Sequence, residues 1–145
     1  MNMNLDQFEA ELEVALVDEL KARQDQLSEY VMASFDLGIH PWHGIIEPSF
    51  YTTQDTGRLE EIGGWKLYNF AFDNEPWPRV QHLAKWMQTY YESNPSAHSE
   101  NIFTSAAKVA RSKKVSAQIQ QLKLTNGFFV SVYNPDDNAF KNYCA

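Results

Sequence analysis

The stretch Ile39-His40-Pro41-Trp42-His43-Gly44-Ile45 stands between two apolar, strand-like segments, and how it turns decides how they are joined. Proline presets a narrow backbone path, and glycine accepts angles that other residues resist. With Gly38 and Gly44 bracketing it, the stretch reads as a strand connection that Trp42 anchors in an aromatic core.

Upstream, Tyr30, Met32 and Ser34 alternate against Val31, Ala33, Phe35 and Leu37, which predicts a strand over Leu27–Leu37. Downstream, Ile45–Thr52 reads as a second strand. Pro48 cannot donate a ladder hydrogen bond, so this strand belongs at an edge or carries a bulge. Thr53–Gly64 is a connection, and Trp65–Phe72 is expected as a third strand with apolar side chains on both faces. Links this short predict an antiparallel meander. A further strand is expected over Gly127–Asn134, followed by a short terminal helix starting at Pro135-Asp136-Asp137.

Helical spacing marks the remainder. Leu5, Phe8, Leu12, Leu16 and Leu20 share one face of a predicted helix over Leu5–Arg23. A second helix is expected over Pro78–Glu92, with Trp77 sealing its entrance, and Ser93–Ser99 reads as a surface connection. From Ile102 through Leu122 the apolar side changes phase, which places a break near Lys113 and Lys114. The expected architecture is a single α+β domain over residues 1–145. It has a mainly antiparallel sheet of about four strands, an N-terminal helix and further helices packed on the sheet.

Composition agrees with one core. The chain has 145 residues, 43% of them hydrophobic, with 4 Trp, 7 Tyr and 9 Phe, which suits a folded domain rather than a disordered chain. There is no secretory leader pattern and no run near the roughly 18 apolar residues of a membrane helix, so a cytoplasmic protein without membrane attachment is expected. Cys144 is the sole cysteine, which excludes an intramolecular disulfide and a multi-cysteine metal cage.

The net charge of −7 is unevenly spread. Residues 1–100 carry 17 acidic and 6 basic side chains, whereas residues 101–135 carry 5 basic and no acidic ones. An acidic protein repels nucleic acid over most of its surface, and no zinc finger supplies the geometry to overcome that. Phosphate-binding fingerprints of the GxGxxG and GxxxxGK[ST] kinds are absent, and no cofactor is expected.

Two functional readings follow. The leading one is a non-enzymatic protein-binding domain, of a bacterial immunity-type or regulatory kind, that meets a basic protein partner. Asp55, Glu60 and Glu61 are its candidate acidic contacts, with Lys113 and Lys114 as a basic counterpart. The alternative is a small hydrolase or metal-binding enzyme. There His40 or His43 serves as base, oriented by Asp36 or Glu47, or the two imidazoles act as metal ligands. Ser49, Tyr51 and Thr52 are the nearby hydroxyls for such chemistry. Aromatic residues suited to a core also suit an oligomer interface, which leaves homo-oligomerisation open.

Overall fold

The computed structural model describes residues 3–145, and its first helix grows from a side-chain cap. Asn4 Oδ1 accepts the Gln7 amide at 2.8 Å, satisfying an otherwise orphaned donor. Helix α1 runs over Leu5–Ala22 and buries Phe8, Leu12, Leu16 and Leu20, the predicted face. A further turn, α2 (Gln24–Leu27), buries Leu27. The first strand therefore starts later than expected and runs further: β1 is Val31–His40.

Gly38 lies inside β1 rather than at its end, opposite Glu47 of β2 (Ile45–Thr52). A Cβ at Gly38 would come within 2.9 Å of Glu47 Cγ, so glycine lets that carboxylate cross the strand. The turn itself is made by Gly44, whose φ of +60° ends the short Pro41–His43 helical turn. Trp42 packs against Tyr91 with ring centroids 6.0 Å apart, and its carbonyl accepts from Gln88 Nε2 at 3.1 Å. The connection is thus fixed against helix α3 (Gln81–Ser93), as an aromatic anchor predicts.

Among the described residues the sheet has three strands, not about four, and it is mixed rather than mainly antiparallel. Segment 65–72 does lie along the free edge of β2, with a single bridge from Phe50 to Leu67 and a bond from the Phe70 amide to the Pro48 carbonyl. It fails as a strand because Asn69 adopts a φ of +46° and because Pro48 has no N–H to extend the ladder. The order is β2-β1-β3, which puts Pro48 on an edge strand as expected. β3 spans Lys123–Ser131, earlier than the predicted Gly127–Asn134, and pairs parallel to β1. Parallel pairing follows from the helices that carry the chain back before it re-enters the sheet.

Those helices are α3, α4 (Pro95–Ala110) and α5 (Lys113–Ile119). Ser93–Ser99 is not a loop: Asn94 caps α4 by accepting the Ala97 amide, and Pro95 occupies its first turn, where a missing N–H costs nothing. Ser112 caps α5 by accepting from Val115 at 3.2 Å, which sets the break just before Lys113. Helices α4 and α5 pack on α1, and α4 also meets β1 and β3. The apolar face of the sheet, including Phe35, Leu37, Ile39, Ile46 and Phe50, joins this single core. Trp77 is fully buried at the entrance to α3 and donates Nε1–H to Glu19 Oε1 at 3.1 Å.

The opposite face of the sheet is polar. Ser34, Asp36, Ser49 and Ser131 are buried there beneath loop 53–72 and the C-terminal tail. The tail forms turns where a helix was expected: the Asp137 amide bonds to Asn134 and the Phe140 amide to Asp137. Proline at 135 sets a turn that does not propagate, and Asn142 instead folds the chain back on β3. Its Oδ1 accepts the Val132 amide and its Nδ2 donates to the Val130 carbonyl.

Candidate functional site

Alternation along β1 sends Asp36, Gly38 and His40 to the polar face, and the antiparallel register sets Glu47 across from Gly38. Loop residues Leu59 to Gly63, Tyr68, and the tail residues Tyr133, Pro135 and Phe140 rise around them. Together they enclose a cleft of about 600 Å³, a volume within the usual range for ligand sites. The loop is held by structural bonds. Asp55 accepts the Thr52 amide at 2.7 Å and the Lys66 amide at 2.8 Å, Tyr51 donates to the Gly57 carbonyl, and Trp65 Nε1 donates to the Leu59 carbonyl.

Asp36 forms part of the floor. It is 2% exposed, and its Oδ1 accepts from Ser131 Oγ at 2.6 Å. Burial pushes its pKa up to about 7; the neighbouring Glu47 charge adds to the rise, while the Ser131 bond and His40 oppose it. Glu47 gathers the next layer through one oxygen: Oε1 accepts from Tyr68 Oη at 2.8 Å and faces His40 Nε2 at 3.2 Å. Burial and the Glu47 carboxylate push the Tyr68 phenol to about 12, so it stays protonated and donates.

The expected site residues therefore separate. Asp36, His40 and Glu47 meet in the cleft, joined by Glu60 and Glu61 on its rim. His43 is exposed on the Pro41–His43 turn and is absent from the cleft lining. Among the described residues, no group of three or more His, Cys, Asp or Glu is arranged to hold a metal ion. Asp55 braces the loop from below, outside the lining. Lys113 and Lys114 are exposed at the start of α5, also outside the lining.

The sequence pattern alone does not mark Tyr68, Ser131, Tyr133 and Phe140 as site residues. Tyr68 lies in a segment of strand composition, and the proline-led start of the tail suggests a helix, which hides its return to the sheet. One signal was present: Asp36 sits between Phe35 and Leu37, an acid in the polar phase of a strand whose alternate positions are apolar.

Four acids of α1 have partners outside the cleft. Glu9 accepts from Ser105, Glu11 faces His82, Asp18 pairs with Arg79, and Glu19 pairs with Arg23 and takes the Trp77 bond. In the cleft, Glu60 pairs with Arg58, while Glu61 has no ion pair among the described residues. His40 is the one residue of the lining that can carry positive charge. Around the mouth, Leu59, Tyr68 and Phe140 are 38%, 40% and 55% exposed. No protein-family model matches the chain, and no curated protein or solved structure matches it significantly.

Proposed function

We propose that this chain is a protein-binding module that receives a basic segment of a partner in the cleft between the β1–β2 hairpin, loop 59–63 and the C-terminal tail. The observation that carries this reading is the meeting of Asp36, Glu47 and Glu61 in one cleft whose mouth exposes Leu59, Tyr68 and Phe140. Carboxylates steer a basic partner, and apolar anchors at the mouth supply affinity when water is excluded. A module of this kind acts by occupying its partner, which is the mode of an immunity-type or regulatory protein.

The hydrolytic alternative draws less support. Ser49 Oγ accepts the Asn69 amide, Tyr51 donates to Gly57, and Thr52 Oγ1 donates to Asp55, so the expected hydroxyls are engaged in holding loops. Ser131 Oγ donates to Asp36 and is itself buried. None of these four hydroxyls is thereby presented to His40 as a nucleophile.

Fluorescence anisotropy with labelled short peptides tests the proposal. Basic peptides bind, their affinity falls as salt rises, and Glu47→Gln and Glu61→Gln each weaken binding several-fold. Equal binding of basic and neutral peptides, or unchanged affinity in both variants, would overturn it.

A further inference from the structure

Within the cleft, the floor has a more specific chemistry than its net charge conveys. Asp36 and Glu47 stand on adjacent strands on either side of Gly38, where bare backbone replaces a side chain. Asp36 uses Oδ1 for Ser131, and its Oδ2 leans over Gly38, 3.7 Å from where a Cβ would be. Among the described residues that oxygen has no hydrogen-bond partner, although the side chain is almost wholly buried and borders the cleft. Glu47 likewise commits Oε1 to Tyr68 and His40 and leaves Oε2 unused. Two carboxylate oxygens thus remain without donors beside an open floor.

We infer that this floor is an arginine receptor: the free oxygens of Asp36 and Glu47 accept the guanidinium of one arginine side chain presented by the partner protein. This rests on the protein-binding reading and names the group that the cleft recognises. A planar guanidinium carries five N–H donors in a fixed fork and can meet two acceptors on neighbouring strands at once. Its faces stack on aromatic rings, and Tyr68, Tyr133 and Phe140 supply these in the walls. A lysine ammonium is a compact, strongly hydrated point charge, which loses more water on entering a cleft also lined by Leu59 and Ile62.

Occupation carries a proton signature. Glu47 and His40 face Asp36 from the hairpin, and Tyr133 and Cys144 face it from the tail. None of these is a fixed cation, so near neutrality Asp36 is partly protonated in the empty cleft. A guanidinium placed against Oδ2 favours the carboxylate, and the proton leaves to the buffer. Binding near and just below pH 7, where the empty cleft still holds a proton that the bound carboxylate gives up, therefore releases up to one proton per arginine bound.

Isothermal titration calorimetry with the full chain tests this, using matched peptides that differ only in one central arginine, lysine or citrulline. Titrations in two buffers of different ionisation heat give the proton count. The arginine peptide binds at least about tenfold more tightly than the lysine peptide, and citrulline abolishes the preference. Asp36→Asn lowers arginine affinity about tenfold or more and removes the proton release. Glu47→Gln lowers affinity and retains the release, and thermal melts establish that both variants are folded. Equal affinity for arginine and lysine peptides, or unaltered proton release in Asp36→Asn, overturns the arginine receptor and leaves a general basic-segment site standing. Free N-acetyl-arginine amide binding as tightly as the peptide overturns the protein-borne source. Absence of binding by every basic peptide removes the receptor and the protein-binding reading together.

Discussion

Asp36 places an ionisable group where solvent cannot hydrate it, and its stability effect has a definite sign. Its folded pKa, raised by burial to about 7, lies above the ordinary carboxyl value of 3.8. The unfolded chain thus releases this proton more readily than the folded one. The contribution is fully present below about pH 4 and is lost as pH rises through about 7. Urea denaturation across this range should show the loss in the natural chain and its absence in Asp36→Asn, with the variant more stable at pH 8 by at most about 4 kcal/mol. An unchanged slope would mean that Asp36 is not buried as described. Gly44 gives a second residue-scale prediction. At φ +60°, with Gln88 Oε1 only 2.9 Å from an added Cβ, Gly44→Ala should cost roughly 1–2 kcal/mol in the same assay. Gly44 is legible in the sequence as a turn residue, because glycine before an apolar run signals one. The place of Gly38 inside β1 is not, because the need for glycine there comes from Glu47 on the neighbouring strand, a contact that local pattern does not contain.

At the scale of elements, periodicity served best where one face meets the core and the other meets water. Helix α1 and strand β2 fall almost where their patterns placed them. Segment 65–72 has the composition of a strand and the position of one, but the backbone of Asn69 and the missing donor of Pro48 leave it a single bridge. The start of β3 is hidden from local pattern because residues 125–128 bulge opposite Ala33 and interrupt the alternation. The tail is the element that completes the cleft, and one side chain ties it down. Asn142 bonds to the Val130 carbonyl and to the amides of Val132 and Cys144. Asn142→Ala should release the wall formed by Tyr133 and Phe140. Amide exchange at Val132 and Tyr143 should then quicken by about tenfold or more while α1 keeps its protection. Uniform loss of protection would instead make Asn142 a determinant of the whole fold.

Across the whole molecule, helices cover one face of the sheet, and a polar layer with the cleft covers the other. The charge asymmetry of the sequence acquires a spatial meaning in this arrangement. Four acids of α1, Glu9, Glu11, Asp18 and Glu19, are engaged by Ser105, His82, Arg79, Arg23 and Trp77, whereas Lys108, Lys113, Lys114 and Lys123 face solvent. No span among the described helices is long and apolar enough to cross a membrane. The candidate acids Glu60 and Glu61 were legible as a loop cluster. Their union with Asp36 and Glu47 was not, since it depends on how loop 53–72 and the tail close over the sheet. The central claim is that this closure makes the binding site, and amide chemical-shift mapping during titration with an arginine-bearing peptide tests it most directly. The account predicts that Gly38, His40, Gly63, Tyr68 and Phe140 shift together and saturably. Shifts confined to the acidic face of α1 or to the lysines of α5, with the cleft unmoved, would contradict it.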